Sequence, residues 1–242
     1  MGDEKDITLR GKKAIADSDA VFLEGYTSML LKDRVGLATL HNKEIEVLGR
    51  QGVEQEADRI LAATKQGNAA FLVVGDVFTA TTHHDLYLRA KEQGIPVKVI
   101  PNAGVMNAIS LTGLDLYKFG RTTTLVYPEK NYRPTSFYDV IVENKKRGLH
   151  TLCLLDIKMD EQRFMTVNEA LKLLLEIAEE KNDNTITLHT HAVGVARLTG
   201  EDQKILYGPI SELLIEDFGA PLHCVVIPGT LHEVEERMLK SW

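Results

Sequence analysis

Phe71-Leu72-Val73-Val74-Gly75-Asp76-Val77-Phe78-Thr79-Ala80-Thr81-Thr82-His83-His84 decides the fold. An apolar run stops at Gly-Asp, and hydroxyl and imidazole side chains follow at once. Uninterrupted apolar runs of this kind belong to strands covered on both faces, as in parallel sheets flanked by helices. The stretch AAFLVVGD (69–76) is therefore expected to be a fully buried strand whose carboxyl end opens into a small acidic turn. In open parallel sheets, ligands bind at that end of the strands.

The pattern repeats on both sides of this stretch. AVFLEGY (20–26) and EIEVL (44–48) are short strand candidates, and Val53 to Thr64 has the spacing of an amphipathic helix. LYLRAKEQG (86–94) is a helix end with Gly94 at the left-handed stop. PVKVI (96–100) is predicted as a further strand, followed by the helix-like VMNAISLTG. A helix from Thr135 to Arg147, closed by Gly148, leads into the buried strand HTLCLLDIK (150–158). This alternation implies a parallel sheet covered on both faces. Beyond MDEQRF the character changes. Thr166-x-x-Glu169 is a capping box opening a helix with Leu171, Leu174, Leu175 and Ala178 on one face. Three strand-like stretches follow, TLHTHAVGVARL, QKILYG and LHCVVIPG, with a short helix at PISELLIED. The expected architecture is α/β in two domains: residues 1–158 with a parallel-rich sheet, and residues 159–242 with a mixed α+β layer.

Composition narrows the function. The 242 residues are 44% apolar and 26% charged, with a formal net charge of -7. That charge argues against a nucleic-acid binder, which needs a basic face to displace counterions. The basic cluster Lys145-Lys146-Arg147 reads as a helix C-terminus whose cations complement the dipole. No apolar run reaches the roughly 18–20 residues of a transmembrane helix, so no membrane partner is expected. MGDEKDITLRGKK has neither the apolar stretch of a secretory signal nor a myristoylation pattern. Cys153 and Cys224 lie inside apolar strands and read as small core hydrophobes in a reducing compartment, the cytoplasm.

Three strand ends offer small residues or free backbone to a ligand: Gly75 to Thr79, Asn102 to Asn107, and Leu154-Leu155-Asp156. Neither phosphate-cradling glycine motif is present, which disfavours nucleoside triphosphates and dinucleotides. A ligand held by backbone, a carboxylate and apolar side chains fits better, such as a cationic adenine-containing cofactor. No metal site is expected. His83-His84 are adjacent and diverge on a helix, and His189 with His191 on one strand face lack a third ligand. G-x-S-x-G is absent, which removes a hydrolytic elbow. Thr81 and Thr82 are expected to cap the helix that follows.

VVGD-x-F-x-ATTH, NA-x-VMNA, LYKFG, RP-x-SFYD, RGLHTLCLLDIK and VG-x-ARL together resemble the diphthine-synthase family of S-adenosylmethionine-dependent tetrapyrrole methylases. The resemblance runs from Gly2 to about Leu239, and the short path from DIK to MTVNEA looks like the archaeal members. It implies two α/β domains with S-adenosylmethionine in the cleft between them, S-adenosylhomocysteine as by-product, and a homodimer. The implied acceptor is elongation factor 2, at a histidine carrying a 3-amino-3-carboxypropyl group whose amine is methylated to diphthine. The implied cofactor contacts are Asp76, Thr79, Gly104, Val105, Leu155, Leu198, His223 and Met1. No dedicated catalytic side chain is assigned: displacement at a sulfonium methyl needs alignment more than acid or base groups.

Three departures stand out. Relatives begin with a strand and turn of the form YLIGLGL ahead of the segment matching GDEKDITLRG, where this sequence opens at Met1. An inner strand and cofactor-facing backbone are therefore expected to be missing. GDVF replaces the usual GDPF, and Gly104 stands where relatives often carry Ser. Alternatives are another methylase of the superfamily, acting on a tetrapyrrole or ribosomal RNA, or a cofactor-binding but inactive relative.

Overall fold

The computed structural model describes residues 4–26, 43–49, 58–79, 81–130 and 132–242. The chain divides into two compact units, Met1–Met106 and Asn107–Trp242. The sequence-based boundary after residue 158 falls inside the second unit.

In the first unit, helix α1 (Leu9–Ala16) starts at Thr8, whose hydroxyl accepts from the Gly11 amide at 3.1 Å. That bond satisfies one of the donors a helix start leaves unpaired. Strands β1 (Ala20–Glu24), β2 (Glu46–Leu48) and β3 (Ala69–Leu72) form a parallel sheet in the order β2-β1-β3. Helix α2 (Asp58–Ala63) precedes β3 and helix α3 (His84–Glu92) follows it. Their side chains Ile60 and Leu86 pack with Phe22, Tyr26, Leu48 and Phe71 into a small core. The first residues of the helix expected from Val53 lie outside the described residues. Gly94, at φ 70°, stops the segment after α3 as expected.

Two strand expectations are corrected. Every residue of β3 is half-buried rather than buried, because among the described residues β3 pairs with β1 on one side alone. Residues 96–100 form no strand. Ile95 still donates to the Ala90 carbonyl at the helix end. Pro96 has no N–H to give a ladder, Pro101 ends the run, and Val99 is 38% exposed.

The second unit opens with helix α4 (Val105–Ala108) at its border and is built on five strands: β4 (Thr123–Leu125), β5 (Thr151–Leu155), β8 (His191–Ala196), β9 (Lys204–Pro209) and β10 (His223–Ile227). Their order is β4-β5-β10-β8-β9. Only β4 and β5 run parallel; the other pairs are antiparallel. The mixed sheet is therefore present as expected, and it has recruited the 150–158 strand. A two-stranded ribbon, β6 (Ile157–Lys158) with β7 (Arg163–Phe164), rises directly from the end of β5.

Helix α5 (Ser136–Lys146) follows β4, ends at left-handed Gly148, and carries the basic cluster at its C-terminus. One of those cations is tied down: the Lys145 ammonium donates to the Thr185 carbonyl at 2.9 Å. Helix α6 (Val167–Glu180) has the expected capping box of Thr166 and Glu169 and buries Leu171, Leu174 and Ala178. These side chains join Cys153, Val225 and Ile210, from the short helix α7 (Ile210–Leu213), in one core. Cys153 and Cys224 are both free and buried, the role expected of them. Helix α8 (Glu233–Leu239) closes the chain.

Candidate active site at the strand ends

The turn after β3 is organised by one carboxylate. Asp76 Oδ1 accepts from the amides of Phe78 and Thr79, both at 3.1 Å, and from the Thr79 hydroxyl at 2.8 Å. Oδ2 accepts from the Asn102 amide at 3.4 Å, which ties the GDVFT turn to the NAGV turn. Gly75, at φ 90°, supplies the left-handed residue that lets the chain reverse there. Burial works to raise the Asp76 pKa, but the hydrogen bonds from Thr79, Phe78 and Asn102 outweigh it and hold the carboxyl below its ordinary range. Gly104 completes the cluster. A Cβ on it would lie 3.4 Å from both Asp76 Cβ and Asp76 N, and 3.9 Å from Thr79 Cβ. Val105 follows as the first residue of α4. Asp76, Thr79, Gly104 and Val105, separate in sequence, thus converge in the first unit.

Leu155, Leu198 and His223 gather at one end of the five-stranded sheet. Leu154 pairs with Cys224, and His223 pairs with Ala196, so the end of β5, the start of β10 and the end of β8 lie side by side. All three residues are buried, at 6%, 8% and 9% exposure. Leu198 sits between two left-handed residues, Arg197 at φ 49° and Thr199 at φ 71°. The Arg197 side chain braces that loop, donating to Asp202 Oδ2 at 2.7 Å and to the Phe218 carbonyl at 2.7 Å. The His223 ring is satisfied at both nitrogens: Nδ1 accepts from the Val167 amide at 3.3 Å and Nε2 faces the Ala220 carbonyl at 3.0 Å. Burial, chiefly, lowers its pKa and keeps it neutral. What His223 has to offer a ligand is therefore its backbone and ring face, with no ring nitrogen to spare. Met1 lies outside the described residues.

Beside Leu155 stands a polar cluster that sequence reading found only in part. Asp156 Oδ2 accepts from the Tyr127 amide at 3.0 Å, joining the carboxyl ends of β4 and β5. The Tyr127 hydroxyl donates to Glu169 at 3.1 Å, and the Arg163 guanidinium lies 3.6 Å from the centre of the Tyr127 ring. Burial first, then Glu169, push the Tyr127 pKa up to about 12, against the opposing pull of Arg163. The only sequence signal for these residues was the strand-end position of Asp156 and the capping role of Glu169.

Two smaller expectations fail. The Thr81 hydroxyl donates back to the Val77 carbonyl at 2.6 Å instead of capping α3, and the cap position belongs to His83, packed edge-on against Phe71. His189 is not on a strand face with His191. It sits in a turn that Thr187 and Thr190 hold by local hydrogen bonds, and β8 starts only at His191.

A different trio brings possible metal ligands together: Asp115, His232 and Glu235. Its chemistry already balances without a metal. Glu235, fully buried, accepts from the Lys118 ammonium, from His150 Nε2 at 2.9 Å and from the amides of Asp115 and His232, both at 3.1 Å. Lys118 occupies the place of the cation. Burial would raise the Glu235 pKa, but these donors, Lys118 foremost, lower it to about 2.

Comparison with known proteins gives these sites a context. The family model of tetrapyrrole (corrin/porphyrin) methylases matches residues 1–214. A diphthine synthase from Methanococcus maripaludis is 46% identical over 98% of this chain and 94% of its own length. A human diphthine methyl ester synthase is 42% identical over 99% of this chain and 91% of its own. Among solved structures, a chain from Entamoeba histolytica superposes with a TM-score of 0.92 at 43% identity, covering 100% of this chain and 94% of that one. A solved diphthine synthase gives a TM-score of 0.89 at 31% identity, with 100% and 92% covered.

Proposed function

The chain belongs to the tetrapyrrole methylase family, and we propose that it methylates the 3-amino-3-carboxypropyl-histidine of elongation factor 2, with S-adenosylmethionine as donor, in diphthamide biosynthesis. The observation that carries the reading is full-length similarity to proteins named for that reaction, from archaea to human. Those names differ in one respect, diphthine synthase against diphthine methyl ester synthase. For this chain the proposal is methylation of the amine. Action in the cytoplasm as a homodimer is part of the proposal. Among the described residues no helix is long and apolar enough to cross a membrane.

The residues present fit the donor. Asp76 Oδ2 keeps acceptor capacity beyond its 3.4 Å bond to Asn102, and the missing Cβ of Gly104 leaves room beside it. Asp76, Thr79, Gly104, Val105, Leu155, Leu198, His223 and Met1 are proposed as the contacting residues. S-adenosylmethionine supplies the methyl: the acceptor nitrogen's lone pair forms the N–C bond as the C–S bond breaks, its electron pair remaining on sulfur to leave S-adenosylhomocysteine.

The chain's own contribution is positioning. Of the titratable groups at the second unit's strand ends, His223 and Asp156 are engaged by backbone partners and Tyr127 is raised to about 12. With both ring nitrogens of His223 engaged and the Tyr127 hydroxyl raised, neither serves as a general base near neutrality. Alignment of amine and methyl then supplies the acceleration. The test is incubation with S-adenosylmethionine and elongation factor 2 bearing the aminocarboxypropyl histidine, followed by mass spectrometry of that peptide. Methyl addition on the amine supports the reading. Cofactor binding without transfer would favour the inactive relative, and transfer to a tetrapyrrole or to RNA would favour another methylase.

A further inference from the structure

We infer that Arg163, packed over the Tyr127 ring at the carboxyl ends of β4 and β5, binds the carboxylate of the acceptor's amino-acid group and so selects an α-amino acid as substrate. The inference rests on the methyltransferase reading above.

Among the described residues Arg163 forms no ion pair, although carboxylates stand close by. Glu169 Oε2 is spent on the Tyr127 hydroxyl, the Thr166 amide at 2.9 Å and the Thr166 hydroxyl at 3.2 Å. Glu129 and Glu161 pair instead with Lys158, the residue opposite Arg163 in the β6–β7 ribbon, at 2.5 and 3.6 Å. Asp156 is engaged by the Tyr127 amide. Among the described residues none of these carboxylates forms an ion pair with Arg163, and its guanidinium stays open to a substrate carboxylate.

Its posture is fixed. The Arg163 guanidinium carbon lies 3.6 Å from the centre of the Tyr127 ring, and the hydroxyl of that ring is itself anchored to Glu169 at the start of α6. A guanidinium held by one face presents its in-plane N–H groups as a fork, and that fork matches a carboxylate. Position completes the case. Arg121 and Arg147 also lack a described ion pair, but they precede β4 and β5, at the opposite ends of those strands. Arg163 follows β5 through a ribbon that begins two residues after Leu155. It therefore stands where ligands of parallel strands bind. A 3-amino-3-carboxypropyl group carries one carboxylate next to the nitrogen to be methylated. Holding that carboxylate fixes the nitrogen relative to the sheet end.

The test measures initial rates against acceptor concentration for wild type, Arg163→Met, Arg163→Lys and Tyr127→Leu, with donor affinity followed by calorimetry. Arg163 is exposed, so its substitutions leave the core intact. Arg163→Met is expected to raise the acceptor KM by about tenfold or more, with donor affinity unchanged, since uniform acceptor binding is what it removes. Arg163→Lys should recover part of that loss by restoring charge without the fork. Tyr127→Leu should raise the acceptor KM as well, because the brace is gone. An acceptor KM in Arg163→Met equal to that of wild type overturns the inference while leaving the enzyme's function standing. A wild-type protein that transfers no methyl to the precursor overturns the functional reading, and the inference with it.

Discussion

Replacing Asp76 by Asn probes the first strand end most directly, because it keeps shape and removes charge. Oδ1 accepts three hydrogen bonds, two at 3.1 Å and one at 2.8 Å. A hydrogen bond to a charged group contributes about 1.5–3 kcal/mol and a neutral one about 0.5–1.5. The substitution therefore costs about 1 kcal/mol per bond, or about 3 kcal/mol for the turn as a ceiling. The new amide also places N–H groups against the Asn102 amide, which now donates to Oδ2. Binding must then re-form the turn before the donor is held. With about 1.4 kcal/mol per tenfold, the donor Kd should rise between about tenfold and about 100-fold. Thr79→Val deletes one of the three bonds and should lie between wild type and Asp76→Asn. Calorimetric titration with S-adenosylmethionine measures both. Affinity of Asp76→Asn within twofold of wild type, or Thr79→Val weaker than Asp76→Asn, would show that the carboxylate does not organise the site.

Three further outcomes follow from the same geometry. Gly104→Ser should bind the donor within a few-fold of wild type, since its Cβ meets Asp76 at an ordinary 3.4 Å, whereas Gly104→Phe should weaken binding roughly tenfold or more; equal affinities would mean that no ligand passes there. Glu235→Gln leaves Lys118 and His150 facing an amide in a fully buried site, a loss of about 3–5 kcal/mol on the scale of broken buried pairs. Its melting temperature should fall by roughly 6–20 °C in scanning calorimetry, and a fall under about 3 °C would refute the network. His150 and His223 both have folded pKa values lowered mainly by burial, so the neutral rings favour the fold. Their contribution is complete above about 6.5, the unfolded value, and is lost as pH falls below it toward the folded values. The melting temperature should decline across that window, well before carboxylates titrate; a flat profile from pH 7.5 to 5.5 would contradict both histidine assignments.

Local patterns were legible in the sequence wherever a residue's role was set by its neighbours. The apolar runs at 20–24, 151–155 and 223–227 became strands, Thr166 and Glu169 formed their capping box, and Gly94 and Gly148 took left-handed conformations. What stayed hidden was set by partners far along the chain. Nothing in HTLCLLDIK states that Cys153 will lie opposite Val225, and the alternation of elements alone puts this strand in the parallel sheet rather than beside β10. PVKVI has the composition of a strand, yet a strand exists only through a ladder, and composition carries no information about the neighbour. The Asp76 turn was recognisable from Gly-Asp. The Glu235 network was not, because its histidine partner His150 is 85 residues away and nothing local to either residue signals the other.

The polar groups at the two strand ends share a property that bears on how such a site can work. Asp76 is occupied by the turn it caps, His223 by Val167 and Ala220, and Asp156 by Tyr127. Each holds backbone in place. Within each unit, groups held in this way are in position before any ligand arrives, so little local ordering remains to be done. Reactions that require only collinear approach gain most from such rigidity, because well-oriented groups can recover about 7–11 kcal/mol of the barrier through alignment alone. Methyl transfer from a sulfonium to a neutral amine is a reaction of that kind. Arg163 differs from the other three: among the described residues it pairs with no carboxylate, and a cation so placed at a strand end is what a substrate carboxylate would complete.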